Sequence, residues 1–471
     1  MSNRDIAERI REDVSDTINE ALIGHIGDRV TTSAEVRAKG GDTGGLSHLY
    51  GYTRWVVKRD LTVTVDDNSQ DDPIWWHDVE ITTPALYATE KSYDEVRTVI
   101  KALIERWWIW TPNSAALHIH YGRGTDYIPF NHLRKIGAFL FCGDPILSQM
   151  HTTNHRDETG LTWSPSNRYY SNIAHGMSAG QARRICQSRQ DGQDVGIEGE
   201  RVHFDVAAYR REIPPEERNL LKKGRVFPTV FERGELPGYV FNDHEYEVTL
   251  DAILATQPME ERAKGASNTQ PISIPMGVLE ILWCQSCPMV SMLHENYANG
   301  RAAYNFQLYG YDYKTRGAVF EGTKRTIEFR QPQGTIDPDE VLAHVKISVT
   351  LADFASRMSY NELYKWAIDM TSAEKTPEWY DVIDVLFDLG LAREAYFIER
   401  YHARDQGIVI PEEVERYYGV AANFAPLAAP RGRRLASMRS FVRNFFRLTR
   451  DEQRHIPDLM DRLAHGLPEN E

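Results

Sequence analysis

Two short segments each place a pair of functional side chains at i and i+2 in an apolar, β-branched setting. Leu117-His-Ile-His-Tyr-Gly122 carries His118 and His120, and Thr326-Ile-Glu-Phe-Arg330 carries Glu328 and Arg330. Along a strand, alternation sends both members of such a pair to one face. Imidazoles ligate metals or move protons, a carboxylate holds a cation, and a guanidinium grips a phosphate or carboxylate through two parallel hydrogen bonds. If the two strands share a sheet, their common face carries a metal-ligand set beside an anion clamp. That combination handles a nucleotide phosphate next to a divalent ion. Asp78-Val-Glu80 is a third same-face pair. Two carboxylates that close repel unless a cation lies between them. Mg2+ is held by one or two carboxylates plus phosphate oxygens, which suits Glu80 and Glu328.

Each pattern also has an ordinary structural explanation. His-x-His occurs as two exposed strand histidines, or as one core histidine bonded to a carbonyl. Here Gly122-Arg123-Gly124 follows at once, a flexible turn carrying a cation. Glu328 and Arg330 could be a surface ion pair of little energetic worth. The polar run Gln331-Pro-Gln-Gly-Thr-Ile-Asp-Pro338 that follows points this face toward a loop-rich mouth instead. Asp78 and Glu80 alone would suit an exposed acidic strand. Cys284-x-x-Cys287 has no second pair near it and only His294 as a loose partner, so two buried small side chains are expected there.

The elements that must position these residues follow from periodicity. Ile6, Ile10, Val14, Ile18 and Leu22 predict a helix over 5–24. After the Gly-rich stretch 39–46, β-like runs fall at 55–58, 61–65 and 78–82. A helix over 93–108 is expected, with Ser92 as N-cap and Glu95 completing a capping box. A strand over 118–121 leads to an apolar helix over 131–150. A long Thr/Asn/Ser-rich loop over 152–172 carries Arg156. The stretch 185–275 is polar and Pro-rich and reads as an irregular insertion. Order returns at 279–290, 304–311 and 326–330, and Asp337-Pro338 opens a helix to about 358. Residues 361–471 read as a helical extension. Within it, 431–450 has seven arginines and no acid, an amphipathic helix suited to docking on an acidic body.

Composition excludes several classes. The chain has 471 residues, 41% hydrophobic and 26% charged, ordinary for a soluble globular protein. A net charge of −14 argues against bulk nucleic-acid binding. There is no apolar run of membrane-spanning length and no secretory signal at the amino end. Cys142, Cys186, Cys284 and Cys287 are too scattered for a disulfide framework, so a reducing, cytoplasmic setting is expected.

At these motifs the chain resembles the amidoligase family of carboxylate–amine ligases, in the branch abundant in fungi, whose catalytic domain has a glutamine synthetase-like fold. Leu117-His-Ile-His-Tyr-Gly-Arg-Gly resembles the family's LHVHVG-type motif, and Thr326-Ile-Glu-Phe-Arg-Gln-Pro-Gln-Gly-Thr-Ile-Asp its TIEFR motif. Trp55-x-x-x-x-Asp60 and Asp78-Val-Glu-Ile-Thr-Thr-Pro resemble its preceding strand pair. The resemblance covers about residues 50–360. It implies an α+β fold, with a curved antiparallel sheet backed by helices over 49–360, an amino-terminal helix and Gly-rich segment over 1–48, and the helical extension from 361. It also implies ATP- and Mg2+-dependent amide formation through an acyl phosphate, on an amino acid, a peptide or a small metabolite. Glu80, His120 and Glu328 would hold the metal. His118, Arg123, Arg156 and Arg330 would contact phosphates, with Arg330 clamping the transferred group, and Asp60 would receive the amine. One departure stands out. The family's first strand, with its Glu-x-Glu, has no counterpart upstream of residue 50, and Asp78 beside Glu80 is the partial substitute. Two rival readings follow: a catalytically degenerate binding protein, and a mononuclear metalloenzyme using His118, His120 and a carboxylate as a facial triad.

Overall fold

Phe130–Leu147 is a helix with apolar side chains on nearly every face, the pattern of a segment buried all round. The rest of the described structure is arranged about it. The computed structural model describes residues 3–23, 52–60, 62–63, 76–124, 126–151, 164–193, 270–295, 301–312, 317–318, 325–375, 381–405 and 409. In chain order the helices are α1 (Asn3–Ala21), α2 (Glu90–Arg106), α3 (Phe130–Leu147), α4 (Asn167–Tyr170), α5 (Ala179–Gln190), α6 (Ile274–Trp283), α7 (Cys287–His294), α8 (Pro338–Arg357), α9 (Tyr360–Lys375), α10 (Val382–Asp388) and α11 (Ala392–Asp405). The strands are β1 (Val56–Lys58), β2 (Glu80–Thr82), β3 (Ile119–Tyr121), β4 (Tyr304–Asn305), β5 (Tyr311–Asp312), β6 (Gly317–Ala318) and β7 (Ile327–Phe329). Among the described residues no helix is long and apolar enough to cross a membrane.

The main core surrounds α3, which packs against α6, α7, α8 and α9. Phe139 stacks on Trp366 of α9 with centroids 4.5 Å apart, and the Trp366 indole N–H donates to the Phe139 carbonyl at 3.1 Å. The helices beyond residue 360 thus share one hydrophobic core with the elements that precede them. A second, smaller core forms where the four-residue apolar spacing of α1 meets α2, β1 and β2, through Val14, Ile18, Trp55, Val57, Val99 and Leu103. The Trp55 indole N–H donates to Glu95 at 2.8 Å, drawing that carboxylate inside. The expected capping box therefore does not form. Thr89 is the N-cap, its side chain accepting from the Ser92 N–H, and α2 begins at Glu90.

Three antiparallel sheets are present among the described residues: β1–β2, β3–β7–β4 and β5–β6. The architecture is α+β, dominated by helices, and the third same-face pair (Asp78, Glu80) lies in a different sheet from the other two. β7 runs between β3 and β4. One rung, Ile119–Phe329–Tyr304, faces the core, where the last two rings meet edge to face at 5.4 Å. The next rung, His120–Glu328–Asn305, faces the other way. α8 follows β7 and is opened as expected by Asp337, whose carboxylate accepts from the Asp339 and Glu340 N–H groups at 2.9 and 3.3 Å.

One other expectation is corrected. Residues 164–172 are not an exposed loop. They are buried and hold α4, because Ser166 and the Arg168 N–H bond to Asp144, and Arg168 pairs with Glu374 at 3.1 Å. Order returns at 279–290 as expected, in two helices broken near Cys284. Cys284 is buried as expected and Cys287 half-buried, both as free thiols. Most of 61–65, the Gly-rich stretch 39–46, Arg156, residues 194–269 and the basic run 431–450 lie outside the described residues.

Gly277 tests the packing of α6 on α3. A Cβ there would lie 2.3 Å from Cε1 of the fully buried Phe141 ring. Gly277→Ala gains about 1 kcal/mol of helix propensity but forces overpacking worth about 1–3 kcal/mol. A net loss of stability is expected in urea unfolding, and a stabilised variant would contradict this packing.

Candidate active site

Glu328 is the hub of the outward-facing rung. Its backbone sits in the middle strand, and the sheet leaves it only about 9% exposed. Around one carboxylate oxygen, Oε1, stand Arg330 Nη1 at 2.6 Å, His118 Nδ1 at 3.5 Å and His120 Nε2 at 4.0 Å. The other oxygen, Oε2, accepts from Asn305 Nδ2 at 2.7 Å. Burial alone would push this carboxyl up. The Arg330 guanidinium, then His120, His118 and the Asn305 bond, overcome it and hold the carboxyl below its usual value. Glu328 is therefore an anion at neutral pH.

Each partner is itself held. The Arg330 N–H donates to the Ala303 carbonyl at 2.9 Å, and its carbonyl accepts from Ser164 at 3.0 Å. Its Nε is buried with no hydrogen-bond partner, an unspent donor. His120 Nδ1 shares a 2.9 Å hydrogen bond with Thr326 Oγ1. Gly122 permits this, because a Cβ there would meet Thr326 Cγ2 at 2.9 Å. Burial and the Arg330 charge push His118 down to about 4, against the opposing charges of Glu328 and Asp60, with Arg301 adding to the depression. His118 is thus neutral at pH 7, and Asp60 and Arg301 exert their charges on it.

The structure brings His118, His120, Glu328 and Arg330 together, with Asp60 electrostatically coupled to them. Asp60 Oδ1 accepts from Thr62 at 2.8 and 2.6 Å. Asp78 holds the end of β1, accepting from the Asp60 N–H at 3.1 Å and from Arg59 at 3.2 Å. Glu80 does not join the others. It stands opposite Lys58 in the β1–β2 sheet and pairs with it at 2.9 Å. Among the described residues no group of three or more His, Cys, Asp or Glu side chains could hold a metal. Neither the expected set Glu80, His120 and Glu328 nor a facial triad is preassembled. Arg123 lies in the exposed turn after β3, where its charge acts on Tyr121 and His132. His294 is fully buried, pushed down to about 3, and bonded to Asn167 at 3.2 Å, a structural role.

Sequence reasoning missed Thr326, Asn305 and Arg301. Thr326 was reachable, since it stands two residues before Glu328 and the same alternation places it on that face. Asn305 becomes visible only once β4 is paired with β7.

The donor set fits an anion: an unpartnered buried guanidinium N–H beside the neutral imidazole of His118. For a divalent ion it supplies a single carboxylate, which fits Mg2+ arriving with phosphate oxygens rather than a cage built by the protein alone.

Residues 2–178 match the model of a protein family described as "Putative amidoligase enzyme". The match spans both cores' opening elements, from α1 through α4, and includes His118 and His120. No curated protein and no solved structure matches the chain.

Thr326→Val keeps the shape and removes the hydroxyl bonded to His120. A loss of about 1 kcal/mol in stability is expected. The His120 ring nitrogens, read by 15N NMR, should pass from one fixed tautomer to a mixture. An unchanged tautomer would show that Thr326 does not orient the ring.

Proposed function

We propose that this chain, a member of the amidoligase family through residues 2–178, joins a carboxylate to an amine using ATP and Mg2+, on a glutamine synthetase-like framework. The observation that carries this reading is the cluster about Glu328, with Arg330 at 2.6 Å and two imidazoles at 3.5 and 4.0 Å from the same oxygen. Bound Mg·ATP would supply the phosphoryl group that activates the substrate carboxylate as an acyl phosphate.

The chain's own residues account for the rest. Arg330 is pinned by its backbone and presents a fixed planar fork, so its donors meet a trigonal phosphoryl group without reorganising. Glu328 balances that cation when no ligand is bound and offers Oε1 to a metal ion that comes with phosphates. His118 is neutral at pH 7 and donates or accepts a proton at its ring nitrogens. Asp60, whose charge opposes the depression of His118, attracts an incoming ammonium and accepts its proton. The substrate is an amino acid, a peptide or a small metabolite.

A second reading, a family member that binds nucleotide without turnover, is favoured by one observation: no three-ligand metal group exists among the described residues. Thermal unfolding separates the two, together with phosphate release. Mg2+ with ATP should raise the midpoint more than either alone, because stabilisation follows the occupancy of the folded state. Stabilisation without phosphate release, across amino-acid and peptide mixtures, favours the binder. Absence of any shift contradicts both.

Two substitutions probe the roles. Glu328→Gln keeps the shape and removes the charge, and substrate-dependent phosphate release should be abolished. Arg330→Lys keeps the charge and loses the fork, so turnover should fall while Mg·ATP still stabilises the fold. Equal rates in wild type and both variants would place the chemistry elsewhere.

A further inference from the structure

We infer that Asn305 is a positioning residue for Glu328: it holds one carboxylate oxygen and so determines which oxygen, in which direction, meets a bound ligand. This rests on the reading of the Glu328 face as the ligand site. Asn305 is about 6% exposed and lies on β4, in the same rung as Glu328 and His120. Its Oδ1 accepts from the Gln307 N–H at 3.0 Å, and its Nδ2 donates to Glu328 Oε2 at 2.7 Å.

These two neighbours fix the orientation of the amide. A backbone N–H only donates and a carboxylate only accepts, so a flipped Asn305 would face a like group at both ends. Asn305 is therefore a donor of fixed direction. With Oε2 engaged, the plane of the carboxylate is set, and Oε1 is left for Arg330, His118 and His120. Only an amide meets all these demands. An aliphatic side chain would leave Oε2 buried and unpaired. An aspartate would still accept from Gln307 but would set a second negative charge against Glu328.

That last point turns the inference into a gain-of-function test. Asn305→Asp places two carboxylates side by side, a pairing that a divalent ion relieves. In thermal unfolding, Mn2+ alone should stabilise N305D and leave wild type unmoved. Asn305→Ala should weaken the Mg·ATP response by about tenfold or more, the value of a hydrogen bond to a charged group, and should also lower the ligand-free midpoint, because Oε2 is left buried and unpaired. The reciprocal double variant, N305D with E328Q, restores an amide–carboxylate bond with its polarity reversed. Its ligand-free midpoint should return toward that of wild type, while the Mg·ATP response stays lost because the charge now sits on the wrong strand.

If N305D gains no Mn2+ response and N305A keeps the wild-type Mg·ATP response, the assignment is overturned and Asn305 only fills space. A wild type indifferent to Mg·ATP alongside an N305D that gains the Mn2+ response has a different meaning. It overturns the nucleotide reading and supports the placement of Asn305 against Glu328.

Discussion

The site depends on keeping one carboxylate charged inside a sheet. Glu328 is almost fully covered, and an isolated carboxylate there would take up a proton rather than bear the cost of desolvation. Arg330 at 2.6 Å and Asn305 at 2.7 Å prevent this from opposite ends of the group. Removing one partner of such a buried pair typically costs roughly 3–5 kcal/mol, far more than an exposed pair is worth. The dependence is mutual, because the Arg330 guanidinium is as buried as the carboxylate it neutralises. Everything that touches this pair inherits its geometry, including the neutral state of His118.

The fold supplies the rigidity this requires. β7 is the central strand, so Glu328 and Arg330 are braced on both sides, by β3 and by β4. The opposite face of the same strands is anchored by Ile119, Phe329 and Tyr304 in the core around α3. A shift of one residue in register would exchange the two faces and bury the charged set in the core. The apolar rung thus fixes the register, and the register fixes the polar rung. The smaller core anchors β1, and Asp60, two residues beyond the end of that strand, makes its charge felt at His118.

Much of this was legible in the sequence because it depends on alternation. The two same-face pairs, the strand at 118–121, the helix after Asp337 and the four-residue spacing of α1 all rest on local periodicity. What escaped depends on pairing between distant segments. Asn305 reaches Glu328 across 23 residues of chain, and nothing in the local run Tyr304-Asn305-Phe306 announces it. Glu80 depends on such pairing too. Its side chain has the right type and parity, but its strand pairs with β1, where Lys58 neutralises it. Ser92 was a sound local cap, outcompeted when Trp55 drew Glu95 into the smaller core. The polar run 164–172 was read as a loop because the inside partners of its side chains lie far away in sequence: Ser166 bonds to Asp144, Asn167 to His294 and the Tyr304 backbone, and Arg168 to Glu374.

In the proposed reaction a carboxylate oxygen becomes bonded to the transferred phosphorus. That step is tested most directly by oxygen tracing. Amino acids and peptides labelled with 18O in their carboxylates are incubated with the protein, Mg2+, ATP and an amine, and the released phosphate is examined by mass spectrometry. One 18O atom is expected in each phosphate released during amide formation. Amide product accompanied by unlabelled phosphate would contradict this mechanism, because the carboxylate would then have been activated by some other route.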